Sequence, residues 1–147
     1  SSSWADIDND GDLDLFLATN GPKNLLYRND GNLEFTSLTD TDISTNGSRS
    51  FSSSWADIDN DGQMELITGK RYRAHNGKDA GDNESPGLYF FKWNGESFTK
   101  NVISYGPFGE GKGTGIYFAI ADMHKTGRKD IVVAGKDGLY IFFNEKP

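Results

Sequence analysis

The apolar residues of this chain come in short runs, each closed by turn residues. "LDLFLA" (13–18), "MELITG" (64–69) and "DIVVAG" (130–135) form one set. A second set is aromatic: "NLLYRNDG" (24–31), "GLYFFKWNG" (87–95) and "GLYIFFNE" (138–145). No segment carries a long apolar period of 3.6 residues, so the pattern predicts strands and not helices. "RSFSSSWAD" (49–57) and "GIYFAIAD" (115–122) read as strands that run into an acidic bend. "LEFTSL" (33–38) and "ESFTKNVI" (96–103) read as strands that follow the aromatic runs. Asn-Gly and Asp-Gly dipeptides between the runs support hairpins.

These pieces recur in a fixed order. "WADIDNDGDLDLFLA" (4–18) aligns with "WADIDNDGQMELITG" (55–69) and, more loosely, with "IADMHKTGRKDIVVA" (120–134). The eleven letters "SSSWADIDNDG" stand unchanged at 1–11 and 52–62. Four antiparallel strands in roughly 40–50 residues is the size of one propeller blade. The expected fold is therefore all-β: a single β-propeller-type repeat domain over 1–147 with three units, at about 1–45, 46–105 and 114–147. The last unit lacks its fourth strand. Propellers have about four to eight blades, so the expectation is a partial propeller, or two copies self-associating into a six-blade ring. Three hairpins in a sandwich would explain the strands but not an acidic loop at the same point of each unit.

Composition fits short strands and tight turns. The chain has 18 Gly, 10 Phe, 6 Tyr and 3 Trp, with 35% apolar residues. The net charge of -7 argues against nucleic acid, which needs a basic face. There is no Cys, so disulfide and thiol chemistry are excluded. No apolar run is long enough to span a membrane, and no signal peptide is visible.

The acid is concentrated. Asp6, Asp8, Asp10, Asp12 and Asp14 crowd one bend; Asp57, Asp59, Asp61 and Glu65 crowd the second. Carboxylates at that density repel one another unless a cation sits among them. The loop reads Asp-x-Asp-x-Asp-Gly-x-x-Asp/Glu. Calcium takes about six to eight oxygens with flexible geometry, and alternate side chains on a curled loop can supply them. Gly11 and Gly62 permit the turn. The carbonyls of Asp12 and Gln63 are placed to add a backbone oxygen, and Asp14 and Glu65 to close the site. An EF-hand would close with a Glu at its twelfth position, where this chain has Leu17 and Thr68. Magnesium would keep more water, so Ca2+ at two sites is the expectation, with a metal-free Asx-turn as the alternative. The third loop, Asp122–Asp130, is degenerate. His124 and Thr126 replace the middle acids, and this bend reads as held by hydrogen bonds, with weak or no metal.

Two long connections remain. "GKRYRAHNGKDAGDNESPG" (69–87) offers Arg71, Tyr72, Arg73 and His75 as candidate residues for a glycan or protein ligand; the alternative is a solvated excursion. "SYGPFGEGKGTG" (104–115) reads as a flexible link between units, without the strand-to-helix setting of a phosphate loop. His75 and His124 are the only histidines, and neither lies in a nucleophile motif. The paired acids suit a metal better than glycoside hydrolysis. The chain therefore reads as a non-catalytic module.

"FSSSWADIDNDG" (51–62), and in the first unit "DLDLFLATNG" with the following "NLLYRNDG" and "FT", resemble the FG-GAP/VCBS repeat family, whose blades also build integrin α-subunit propellers. The resemblance implies a β-propeller with calcium in the loop between the first and second strands of a blade. It carries over to Asp6, Asp8, Asp10 and Asp14, and to Asp57, Asp59, Asp61 and Glu65. It fails at His124 and Thr126. It also implies a secreted or cell-surface protein that recognises glycans or proteins, or the accessory propeller portion of a carbohydrate-active enzyme such as a polysaccharide lyase.

Overall fold

The structure is a computed structural model, and it describes residues 1–19, 23–39, 43, 52–70, 77–78 and 83–145. Eleven strands form three antiparallel sheets among these residues. The first sheet is β1 (Ser2–Ala5), β2 (Asp14–Leu17), β3 (Leu25–Asn29) and β4 (Phe35–Ser37), in that spatial order. The second is β5 (Ser53–Ala56), β6 (Glu65–Lys70), β7 (Gly87–Trp93) and β8 (Phe98–Tyr105). The third is β9 (Phe118–Ala121), β10 (Asp130–Gly135) and β11 (Gly138–Phe142). The fold is all-β, built of propeller-type blades that do not close into a ring.

Register shows that the three units are one design. Ala5 pairs with Asp14, Ala56 with Glu65 and Ala121 with Asp130, so each acidic loop leaves and re-enters its sheet at the same rung. On the next strand Leu15 faces Tyr27, Leu66 faces Phe91 and Ile131 faces Phe142. These equivalences let side chains be compared across blades position by position.

The sheets stack through the two faces that a strand's alternation provides. One core joins the first two sheets: Ala5, Ile7, Phe16, Ala18 and Leu26 meet Leu66, Tyr89, Phe91, Trp93 and Phe98. A second joins Ala56, Ile58, Ile67 and Leu88 to Ile131 and Val133 of the third sheet. Neighbours on β6 thus serve different cores, Leu66 one and Ile67 the other, both fully buried. A strand covered on both faces needs apolar residues side by side, which explains the adjacent Leu66 and Ile67.

The first strands of neighbouring sheets are tied by small polar groups. Trp55 donates its indole N–H to Ser3 Oγ at 3.1 Å, and Ser3 and Ser53 hydroxyls lie 3.2 Å apart. Trp55 sits edge-on to Phe16 of the first blade, at 6.5 Å between centroids, and also meets Phe98 of its own blade.

The Gly-rich connection after β8 is not the loose tether its composition suggests. Gly111 donates its N–H to the Pro107 carbonyl at 3.0 Å, and Lys112 N–H reaches Ser104 Oγ at 2.9 Å. Thr114 is buried beside Gly69, and Lys112 Nζ bonds Asp137 at 2.7 Å. The glycines permit close approach: a Cβ on Gly113 would strike the Lys70 carbonyl. Composition cannot distinguish a glycine that frees the chain from one that lets two backbones touch.

Candidate metal centre

Each acidic loop is first a hydrogen-bonded frame. Asp6 accepts from the N–H of Asp10 and of Gly11, at 3.1 and 3.0 Å. Asp57 accepts from Asp61 and Gly62, at 3.0 and 3.1 Å, and Asp122 from Thr126 and Gly127, at 2.9 and 2.8 Å. The chain curls through two positive-φ residues in each loop. They are Asn9 and Gly11, Asn60 and Gly62, and Lys125 and Gly127. Glycine and asparagine tolerate that conformation; lysine does so at a cost.

A second carboxylate clasps each frame from β2, β6 or β10. Asp14 accepts from Ile7 N–H and from Asn29 N–H, both at 2.8 Å. Asp130 does the same with Met123 and Asn144, both at 2.9 Å. Glu65 accepts from Ile58 N–H at 2.8 Å with one oxygen, while its Oε1 is buried with no hydrogen-bond partner. All three clasps are buried. A buried carboxylate is tolerable where backbone donors meet it, and costly where an oxygen is left alone.

The middle acids then converge. Carboxylate oxygens of Asp6, Asp8 and Asp10 lie within 4.8 Å of one another, as do those of Asp57, Asp59 and Asp61. Asp12 is exposed, and its N–H donates to Asp10 Oδ1 at 2.9 Å; Gln63 N–H does the same to Asp61. Asp14 and Glu65 do not join these groups of three; the structure places them behind, as clasps. The clasp role left one sequence trace: Asp122 and Asp130, frame and clasp, survive in the third loop. Arg71, Tyr72, Arg73 and His75 lie outside the described residues.

Electrostatics follow from the crowding. Burial, then the neighbouring Asp10, raises Asp8 above the ordinary carboxylate range. Burial raises Asp14 too, against the pull of its two backbone donors. Burial pushes Glu65 up to about 7, with Asp59 adding to the rise. Asp61 is lowered, chiefly by its bond to Lys92. The residues fit a divalent cation on two counts. Hard oxygen donors converge in each of the first two loops, and Asp8 Oδ1 and Glu65 Oε1 are buried acceptors that no donor among the described residues reaches.

The FG-GAP-like repeat family matches residues 6–68, from the first carboxylate of the first loop to the strand that leaves the second. This stretch is FG-GAP-like repeat sequence. No curated protein matches the chain. The FG-GAP-like match takes in both complete acidic loops, and the third blade repeats their frame and clasp beyond it. Among the described residues no helix is long and apolar enough to cross a membrane.

Proposed function

We propose that this chain is a non-catalytic calcium-binding propeller module for recognition or scaffolding, with a structural metal in each of the first two acidic loops. The observation that carries the reading is the convergence of three carboxylates at one loop position in two blades, beside buried oxygens that lack donors. Asp6, Asp8 and Asp10 would hold one ion, and Asp57, Asp59 and Asp61 the other. The ion would offset carboxylate repulsion and so couple metal binding to folding. Secretion or cell-surface display, where calcium is plentiful, belongs to the same reading. Thermal melting with calcium and with chelator tests it. Calcium at about a hundred times its dissociation constant should stabilise by about 2.7 kcal/mol per site. A melt indifferent to both additions overturns the reading.

A glycan suits the surface best as ligand. A cleft of about 330 Å³ between the first two sheets is lined by Asn24, Thr68, Lys70, Tyr89, Lys100 and Tyr105, among others. The exposed Tyr105 ring, with the Lys70 and Lys100 ammonium groups in the same cleft, matches a sugar ring that carries a carboxylate; the Tyr89 face is already covered by Lys100 Nζ at 3.9 Å. An acidic-glycan array, read with and without calcium, tests this, and absence of retention counts against it. Turnover of acidic polysaccharides would instead favour the accessory portion of a carbohydrate-active enzyme. Self-association belongs here as well. Trp4 is half exposed and meets Phe35 edge-on, whereas its counterpart Trp55 lies between Phe16 and Phe98. A second copy packed on that face would build toward six blades; a monomer mass at micromolar concentration argues against it.

A further inference from the structure

We propose that Lys92 is a built-in counter-ion for the second acidic loop, so that the two complete loops bind calcium unequally, the first more tightly. The inference rests on the calcium reading above and goes beyond it. Its source is one position at or just past the end of the third strand of each blade, the residue after Tyr27, Phe91 or Phe142. Register makes Arg28, Lys92 and Phe143 equivalent there.

The three blades use that position differently. Lys92 Nζ lies 2.5 Å from Asp59 Oδ2 and 2.5 Å from Asp61 Oδ2, bridging two of the three converging carboxylates. Arg28 turns instead to Asp30, with Nε 2.7 Å from its Oδ1. Asp30 is fixed in turn by the Thr36 hydroxyl. The second blade has Asn94 where the first has Asp30, and Asn94 accepts from Glu96 and Ser97 N–H within its own turn. Asn94 therefore offers Lys92 no carboxylate at the position from which Asp30 draws Arg28. In the third blade Phe143 stacks on His124, with centroids 4.0 Å apart and planes at 18°. His124 holds the place of Asp8 and Asp59, so an aromatic pair stands where the second blade has a charged pair.

Each blade therefore relieves the crowding in its own way. The first has three carboxylates and an arginine bonded to Asp30, whose charge acts on Asp8 from a distance without bridging the group, which leaves most of the relief to an ion. The second has the same carboxylates with a tethered ammonium across two of them. The third has shed the middle charges. Calcium entering the second loop must displace the ammonium from two acceptors and then sit near a like charge. Partly exposed ion pairs are individually modest, so two of them predict a preference for the first loop of about tenfold. Glu65 Oε1, unpartnered and buried behind the second loop, still favours an ion there once the lysine leaves.

Glycine amides report each loop separately. Gly11 N–H and Gly62 N–H donate to the leading aspartates of the two loops at 3.0 and 3.1 Å. Calcium added to the nitrogen-15-labelled full chain should shift the Gly11 resonance first and Gly62 at about tenfold higher concentration. In Lys92→Met, or in Lys92→Gln should the first fold poorly, the two should titrate together. Arg28→Met should leave the gap nearly as in the parent. The inference is overturned if Gly62 shifts with or before Gly11 in the parent chain. It is equally overturned if the Lys92 variants keep the gap, or if Arg28→Met changes it as much as they do. If neither amide responds to millimolar calcium, the metal reading itself falls, an outcome distinct from the others.

Discussion

Replacing Glu65 with glutamine should flatten the pH dependence of stability in the calcium-free chain. Burial pushes the Glu65 carboxyl from 4.5 up to about 7. The folded chain therefore keeps this proton in a range where the unfolded chain has released it. Between those two values the native state binds more protons, so stability falls as pH rises. The contribution is fully present below 4.5 and gone above about 7, and the gap corresponds to about 3 kcal/mol. Glutamine keeps an oxygen for Ile58 N–H but carries no charge at any pH. Its amide group would occupy the buried place where Oε1 finds no donor, at a cost of about 1–3 kcal/mol if it too stays unpaired. That cost does not vary with pH, so the slope is the discriminating quantity, not the level. Urea unfolding followed by tryptophan fluorescence, in chelator at about pH 5 and about pH 8, reads both chains. The parent should lose about 2.5 kcal/mol more than Glu65→Gln across that window. A variant that loses as much as the parent refutes the reasoning. Calcium should shrink the parent's loss, because a nearby cation favours the ionised carboxylate.

Three further outcomes follow from named contacts. Asp14→Ala strips the acceptor from two backbone N–H groups and should cost about 2–4 kcal/mol in urea unfolding, with Asp14→Asn intermediate. Trp55→Ala should cost about 3 kcal/mol in the same assay and Trp4→Ala about 1, although both stand in the same repeated letters, because only Trp55 is wedged between two blades. Lys125→Asn should stabilise by about 0.5–1 kcal/mol, since lysine there holds φ 55 at the position where the other loops use Asn9 and Asn60.

Much of this molecule was legible in the sequence, because a repeat prints its own alignment. The order of strands, the place of each acidic loop and the missing middle acids of the third loop follow from laying the copies side by side. The job of each carboxylate did not. Asp8 and Asp14 are the same letter in the same bend, yet one points at its fellow acids and the other at backbone N–H groups. Alternation alone assigns both to a metal, because nothing in it records which oxygens the backbone already uses. Lys92 was invisible for another reason. It lies far along the chain from Asp59 and Asp61, and only the register of β7 on β6 brings it to them. The serines of "SSSW" also gave no signal; their use appears only where β1 meets β5, as Ser3 joins Trp55 and Ser53.

The third loop separates folding from binding. It keeps Asp122, which holds the curl, and Asp130, which clasps the curl to β11. It has lost the two acids that do neither, and Thr126 Oγ1 takes over the one backbone bond that Asp10 and Asp61 make, at 3.3 Å to Arg128 N–H. A loop of this kind can therefore close without converging charge. It follows that the middle acids of the first two loops are not needed for the curl itself: the third blade builds the same curl without them. Beyond the one backbone bond that a threonine can replace, what those acids add is repulsion, unless something positive sits among them. Their presence in two blades, next to a lysine in one and an arginine turned to Asp30 in the other, is what supports the proposal that they serve a cation and not the fold.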